Sequence, residues 1–184
     1  MIETTVDSIR VSLVTQHRVV VLKEVEGETH LPIWIGPFEA EAIAMELQGV
    51  TAARPLPYDL IRTVINEMGG TISEIRVTDL RDDVFYARII IQQNGAALEI
   101  DSRPSDAIAL AVRAKVPIFV DESVMERAGV TFEGEADAES SESSVGSSPE
   151  GRAERAISEG DLTIFRDFIN SLDFDDFDNR RREN

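Results

Sequence analysis

Within residues 1–132, several segments of the first half resemble segments that lie 65 to 66 positions further along the chain. Residues 8–12 (SIRVS) resemble residues 74–78 (EIRVT), and residues 41–44 (EAIA) resemble residues 106–109 (DAIA). A unit that recurs at a fixed spacing strongly constrains topology, because both copies are then expected to adopt related structures. The alternative, a chance alignment of alternating apolar strings, stays open at this level.

Each copy has the pattern of three strands followed by a helix. Residues 18–25 and 83–90 are rich in β-branched and aromatic side chains, and the Asn-Gly pair at 94–95 is a hairpin signal. Pro37 and Pro104 suit the first turn of a helix, where a missing N–H costs nothing. The sequence therefore predicts an α+β fold, with two β3α-like pseudo-repeats forming one compact domain with largely antiparallel sheets.

A second helix is predicted in each half. Residues 58–68 end at a pair of glycines, and residues 122–128 end at one glycine, a common residue after a helix C-terminus. Residues 117–120 (PIFV) form a short apolar run and predict a further strand.

The net charge of −17 is unevenly distributed along the chain. Residues 1–132 hold 20 acidic and 12 basic side chains, whereas residues 133–184 hold 15 and 6. Residues 133–151 are rich in Ser, Glu and Gly and contain no Lys, Arg or aromatic residue, which predicts a disordered linker. Because more than half of the net charge lies beyond residue 132, the overall acidity does not argue against a nucleic-acid partner for the first domain.

Residues 152–184 contain a separate apolar pattern. Large apolar side chains recur at helical spacing from Leu162 to Leu172 and predict a short amphipathic helix at about residues 160–172. An acidic-aromatic run, residues 173–178, follows it. One interpretation is a helix that docks on the parent domain or a dimer mate. The other is a partner-binding or self-masking element whose acidic run competes with nucleic acid for an arginine-bearing groove.

The residue inventory restricts the possible chemistry. The chain has no Cys and two His, which excludes disulfides, thiolate nucleophiles, Cys-based zinc sites and three-histidine metal sites. It also lacks a phosphate-binding Gly-rich loop and a Gly-x-Ser-x-Gly motif. No stretch approaches about 18 consecutive apolar residues, and no basic-then-apolar leader is present, so we expect a soluble cytoplasmic protein without a membrane partner.

The two strand-to-helix junctions carry the first candidate site residues. Glu39 and Asp106 each fall at the third helical position after a proline, where a carboxylate complements the helix dipole and the free N–H groups. Arg103 directly precedes the second proline and lies close to Asp101. It either forms a structural clamp with Asp101 or Asp106, or presents its planar fork to a phosphate.

The proline-rich segment at residues 54–60 (RPLPYDL) is the second candidate region. Its rigidity holds Arg54, Tyr58 and Asp59 close together, with Arg62 one helical step beyond Tyr58. One interpretation is a stiff connector in which Asp59 starts the helix. The other is a surface that holds a phosphodiester, with Tyr58 as a stacking platform.

Several of these segments together resemble the bifunctional nuclease domain family. The resemblance covers about residues 1–130 and rests on LPIWIG at 31–36, RP at 54–55, SRPSDAIALAVR at 102–113 and PIFV at 117–120. It implies a compact, commonly dimeric α+β domain, and the family name reflects DNase and RNase activity of plant members. The family pattern is usually Arg-Pro-x-Thr-His-Asp-Leu, and this chain has Tyr58 in place of the histidine.

We therefore expect a nuclease that hydrolyses phosphodiester bonds of RNA, DNA or both and forms a homodimer or higher homo-oligomer. The predicted catalytic residues are Asp106, Arg103, Asp101 and Glu39. The predicted substrate-binding residues are Arg54, Tyr58, Arg62 and Arg113. A divalent metal, Mg²⁺ or Mn²⁺, would be held by Glu39, Asp101 and Asp106, because carboxylate oxygens suit hard cations and a bound cation activates water.

Two other functions stay open. The chain is alternatively a non-catalytic module that binds a protein, a small ligand or nucleic acid and keeps the fold without hydrolysis. It is alternatively a purely structural oligomer, in which Arg103 and Asp106 would both be buried and bonded to each other with no adjacent cleft.

Overall fold

The structure is a computed structural model, and it describes residues 1–11 and 17–131. The predicted linker, C-terminal helix and acidic tail lie outside the described residues. The first half contains β1 (Ile2–Val11), β2 (Arg18–Glu24), β3 (Thr29–Ile35), α1 (Pro37–Leu47) and α2 (Pro57–Glu67). The second half contains β4 (Gly70–Arg81), β5 (Val84–Gln93), β6 (Ala96–Ser102), α3 (Pro104–Ala114), β7 (Ile118–Val120), α4 (Glu122–Ala128) and β8 (Val130–Thr131). The predicted α+β fold with two β3α units is confirmed.

The described strands form one sheet in the order β6-β5-β4-β7-β1-β2-β3-β8. The short strand β7 joins the two halves, since its Ile118 pairs with Thr4 of β1 and with Ile75 of β4. β1 runs antiparallel and β4 parallel to β7, so the two three-stranded units run in opposite directions on either side of it. This arrangement fits two related units placed about a two-fold axis near β7.

Two tight turns connect the strands of the second unit. Asn94 (φ 50°) and Gly95 (φ 79°) are both in the left-handed region, as a two-residue hairpin loop of type I′ requires. Asp82 (φ 48°) and Asp83 (φ 60°) make a similar turn between β4 and β5. The sequence pattern placed Asp83 within a strand-like run, but the strand begins at Val84 because aspartate tolerates this backbone region.

Helix α3 lies at the centre of the packing. Eight of its eleven residues are buried, and it packs against both α1 and α2 as well as the sheet. Its alternating small residues allow close approach of neighbouring elements, whereas Ile108 and Leu110 fill the core. Replacing Ile108 with alanine would cost about 2–5 kcal/mol of stability. Within the described ranges, no helix has both the length and the apolar character needed to cross a membrane.

Candidate functional site

Three helices of the domain begin with the same local pattern. In α1, α2 and α3 an extended N-cap residue is followed by proline at the first helical position and a carboxylate at the third. The proline ring fixes φ at a helical value and lacks only an N–H that would have no helical partner. The three N-cap residues are Gly36, Leu56 and Arg103, and the three carboxylates are those of Glu39, Asp59 and Asp106.

Arg103 joins the carboxylates of two of these helix starts. Its Nε donates to Asp106 Oδ2 at 2.6 Å, and its Nη2 donates to Asp106 Oδ1 at 2.9 Å. The same Nη2 donates to Glu39 Oε1 at 2.8 Å. These hydrogen bonds to Asp106 and Glu39 raise the pKa of the Arg103 guanidinium above its usual value, so the side chain is permanently charged.

Tyr58 from α2 completes this group. Its phenolic O–H donates to Asp106 Oδ1 at 2.9 Å, and the Arg113 guanidinium carbon lies 5.7 Å from the centre of its ring. Burial, followed by the hydrogen bond to Asp106 and the nearby carboxylate charges, raises the pKa of Tyr58 well above its usual value. Tyr58 therefore acts as a neutral hydrogen-bond donor and not as a base at physiological pH. We refer to Glu39, Tyr58, Arg103 and Asp106 as the Arg103 cluster.

Asp106 is the common acceptor of the cluster. Its partial burial raises the pKa of the carboxyl group, but the hydrogen bonds from Arg103 and Tyr58 and the Arg103 charge outweigh this effect. The net result is a pKa below the usual value. Asp106 is therefore ionised at neutral pH and fixes the orientation of the arginine fork.

The outer side of Arg103 remains open to solvent. The side chain is 67% exposed, although its carboxylate partners are partly or largely buried. Among the described residues, Nη1 has no hydrogen-bond partner, which leaves two N–H donors at this atom. Mutual bonding of Arg103 and Asp106 was the first requirement of the purely structural interpretation, and it is met. Burial was the second requirement, and it is not met for Arg103.

Gly36 was not among the site residues predicted from the sequence. The Glu39 side chain folds back over this glycine, and a Cβ atom at position 36 would lie 2.2 Å from Glu39 Oε2. Gly36 has an ordinary φ of −72°, so the backbone does not require glycine here. The missing side chain instead provides the space in which the Glu39 carboxylate reaches Arg103.

Arg113 and Arg62, both predicted to bind substrate, contact other parts of the protein. Arg113 is 3% exposed, and it donates to Asp59 Oδ1 at 3.1 Å and to the carbonyl oxygen of Ala42 at 2.8 Å. Asp59 also caps α2 by accepting the N–H of Leu56 at 2.9 Å. Arg62 donates to the carbonyl oxygen of Arg113 in the last turn of α3 at 2.5 Å. These contacts hold the three helices together beneath the Arg103 cluster.

Arg54, also predicted to bind substrate, lies in the connection between α1 and α2. It is exposed and forms no ion pair with any residue in the described part of the chain. It precedes Tyr58 by four positions, so their Cα atoms are at most about 14 Å apart. Arg54 is therefore a charged side chain at the surface, close in the chain to Tyr58 of the Arg103 cluster.

The three carboxylates predicted to hold a metal ion do not converge. Glu39 and Asp106 share Arg103, whereas Asp101 is exposed on β6, opposite Arg88 of β5. Across residues 1–11 and 17–131, no three His, Asp or Glu side chains are grouped closely enough to hold a metal. This donor set does not fit a divalent cation in the present arrangement, because a guanidinium already bridges the two nearest carboxylates.

Comparison with known proteins gives two kinds of match. The bifunctional nuclease domain matches residues 20–133. An uncharacterized protein of Mycobacterium tuberculosis (strain ATCC 25618 / H37Rv) is 40% identical over 175 residues, which cover 95% of this chain and 97% of the relative. The similarity to the mycobacterial protein therefore continues beyond residue 131.

Plant proteins match a shorter part of the chain. Bifunctional nuclease 1 of Arabidopsis thaliana is 33% identical over 109 residues, or 57% of this chain and 34% of the plant protein. Bifunctional nuclease 1 of Oryza sativa subsp. japonica is 30% identical over 112 residues, or 59% of this chain and 34% of the plant protein. The matched region thus spans about a third of each plant relative.

Proposed function

The chain belongs to the bifunctional nuclease domain family, and we propose that it hydrolyses phosphodiester bonds in RNA, DNA or both at the Arg103 cluster. The observation that carries this proposal is the geometry of Arg103. Its guanidinium is held in one orientation by two carboxylates, yet 67% of the side chain is exposed and Nη1 donates to none of the described residues. An oriented arginine with free donors is suited to binding a phosphate.

Electrostatics determine what else phosphate binding requires. Arg103 carries one positive charge and its two carboxylate partners carry two negative charges, so these three side chains together do not attract an anion. The N-termini of α1 and α3 meet at this point and add partial positive charge. Arg54, close in the chain to Tyr58, adds a full positive charge. We therefore include Arg54 in the phosphate-binding surface.

A hydrolytic step at this cluster needs an acceptor for a water proton. Glu39 Oε1 is engaged by Arg103, whereas Oε2 accepts no hydrogen bond from any described residue. In the proposed step the water oxygen bonds to phosphorus and its proton passes to Glu39 Oε2. The phosphorus–oxygen ester bond breaks, and the leaving oxygen takes a proton from solvent. Arg103 stabilises the charge that develops on the phosphoryl oxygens.

A second candidate function is nucleic-acid binding without hydrolysis. The observation that favours it is Tyr58, which stands where the family pattern has histidine and which has a raised pKa. A tyrosine of this kind provides no base near neutral pH, whereas histidine would. Under this alternative the Arg103 cluster binds the backbone but does not cleave it.

The experiment that separates the two functions is a cleavage assay on single-stranded RNA and DNA with the full-length protein. It is run with Mg²⁺, with Mn²⁺ and with EDTA, so that the metal prediction is tested at the same time. We expect cleavage by the wild type and its loss in Arg103→Ala. Arg127→Ala is the matched control, because it removes one exposed positive charge from α4. Binding without cleavage under every condition would favour the second function.

We also propose that a second copy of the chain packs on the outer face of α2. Leu60, Val64 and Met68 follow each other at four-residue intervals on this face, with Ile61 beside them, and all four side chains are exposed. Val64 is at the midpoint, so two antiparallel copies of the stripe can pair by two-fold symmetry. The four residues of the stripe are uncharged and Glu67 lies at its edge, so the centre of the contact brings no like charges together.

A further inference from the structure

The second helical position has a different environment in each of the three similar helix starts. Ser105 of α3 is buried, and Tyr58 of α2 is half-buried with its hydroxyl bonded to Asp106. Phe38 of α1 is 80% exposed. An aromatic side chain normally stabilises a domain by burying a large apolar area, and Phe38 contributes little of this kind. Its exposure therefore calls for a role outside the packing of the described domain.

Phe38 directly precedes Glu39 of the Arg103 cluster in helix α1. Glu39 Oε1 is 2.8 Å from Arg103 Nη2. Because consecutive Cα atoms are about 3.8 Å apart, the path through Glu39 separates the Phe38 ring and the Arg103 guanidinium by at most about 17 Å. A short single strand of nucleic acid can span this distance with a phosphate at one end and a base at the other.

We propose that Phe38 is a stacking platform for an unpaired nucleobase next to the phosphate held by Arg103. This inference rests on the proposed function, because it assumes that nucleic acid binds at the Arg103 cluster. Stacking on an aromatic ring tolerates any base, since every base has a π-face, and it acts equally on RNA and DNA. In a duplex the bases are already stacked on each other and cannot reach the ring. The substrate class is therefore single-stranded nucleic acid.

The test is a binding measurement with the full-length protein and fluorescently labelled single strands of about 12 nucleotides, within the site sizes known for single-strand binding. One strand is oligo(dT), and the other has the same backbone with abasic positions throughout. EDTA is present, so that binding is measured without cleavage. We expect Phe38→Ala to weaken oligo(dT) binding about tenfold and to leave binding of the abasic strand unchanged. Phe38→Trp should retain the preference for bases.

Val25→Ala is the control, because Val25 is also apolar and exposed but lies just beyond the end of β2, and the opposite end of that strand, at Arg18, pairs with Ile35 next to Gly36. It should bind both strands like the wild type. Equal weakening of both strands by Phe38→Ala, or no weakening of either, would overturn the inference. Arg103→Ala separates this result from the proposed function, since it should weaken both strands alike. Base-dependent binding in a protein that cleaves nothing would refute the nuclease function and leave the role of Phe38 standing.

Discussion

Arg103 Nη2 and Glu39 Oε1 are 2.8 Å apart, although the two residues are separated by 64 positions in the chain. They belong to equivalent helix starts of the two pseudo-repeats, in which Gly36 and Arg103 are the N-cap residues. The second pseudo-repeat supplies the guanidinium at its N-cap. The first pseudo-repeat supplies a carboxylate, and its N-cap glycine leaves the space that this carboxylate occupies. One site is therefore built from two pseudo-repeats of the same chain that differ at the N-cap position.

The first prediction concerns Gly36. In Gly36→Ala the new Cβ would lie 2.2 Å from Glu39 Oε2, so the carboxylate must move, and we expect it to lose its hydrogen bond from Arg103. We expect the free energy of unfolding to fall by no more than about 1 kcal/mol, because alanine fits this φ and the ion pair that is lost involves the largely exposed Arg103 side chain. We expect the cleavage rate of Gly36→Ala to fall about tenfold. The cleavage rate of Glu39→Gln should fall about 100-fold, because this variant loses the proton acceptor.

Cleavage rates and urea unfolding of Gly36→Ala and Glu39→Gln provide the comparison. Combining the two substitutions is the decisive control, since both remove one interaction and their effects should not add. Additive losses would show that Gly36 acts by some route other than the Glu39–Arg103 contact.

The second prediction is a pH dependence of stability that arises from Asp106. The folded protein lowers the pKa of this carboxyl group below its usual 3.8, so the ionised form stabilises the fold above that pH. This contribution is lost as the pH falls through the lower, folded-state value. Asp106→Asn should therefore be less stable than the wild type at pH 7, and the difference should shrink below about pH 4.

Urea unfolding at several pH values measures this difference. Asp101→Asn is the matched control, because Asp101 is exposed and its carboxylate accepts no hydrogen bond from the described part of the chain. The free energy of unfolding of this variant should match that of the wild type at every pH. A stability difference for Asp106→Asn that is the same at pH 7 and pH 3 would contradict the assignment.

The third prediction concerns Tyr58. Removing its hydroxyl in Tyr58→Phe deletes one hydrogen bond to Asp106 and should cost about 0.5–1.5 kcal/mol of stability, without a new pH dependence of kcat/KM. In Tyr58→His an imidazole replaces the phenol near Asp106, and the carboxylate should raise its pKa above about 6.5. Cleavage should then increase as the imidazole loses its proton between about pH 6 and 8.

The measurement is kcat/KM against pH for the wild type and both variants. A pH profile of Tyr58→His that runs parallel to that of Tyr58→Phe would show that position 58 takes no part in proton transfer.

Some parts of this domain follow directly from sequence pattern. The repeat, the prolines at the first positions of α1 and α3 and the glycines after α2 are local signals, and they predicted the elements. Asn94 and Gly95 likewise predicted their own turn. The joining of both units into one sheet was not predicted, because it depends on β7, a three-residue strand whose partners are distant in the chain.

The candidate site shows the same division between local and long-range information. The positions of Glu39 and Asp106 relative to their helices were readable from the spacing after proline. The burial of Arg113 was not, because a charged residue in the last turn of a helix is usually exposed and here its partners come from α1 and α2. The importance of Gly36 was also hidden, since it depends on which way the Glu39 side chain folds.

The fourth prediction tests the apolar face of α2. Val64→Glu places a charge at the midpoint of the proposed stripe, so two copies would bring like charges together. We expect sedimentation of the wild type as a dimer and of the variant as a monomer, with unchanged helical content because Val64 is exposed in the domain. Thr63→Glu, next to it but outside the stripe, is the control. A wild-type monomer at micromolar concentration would refute the proposal.

The fifth prediction concerns the acidic run at residues 173–178, which lies outside the described residues. This run carries four aspartates and is joined to the domain by a linker that is expected to reach on the order of 25 Å. If masking occurs, a tethered anion of this kind is expected to compete with nucleic acid for Arg54 and Arg103, and salt should weaken that competition. Deleting residues 133–184 should therefore tighten single-strand binding several-fold at low salt and have little effect at high salt.

Replacing the four aspartates with asparagine in the full-length chain distinguishes charge from bulk. If masking is electrostatic, this variant should bind single strands like the deletion, because the tether and its aromatic residues remain. A variant that binds like the wild type while the deletion binds more tightly would assign the effect to the apolar pattern at residues 160–172. Identical salt-dependent binding curves for all three proteins would show that residues 133–184 do not compete for the site.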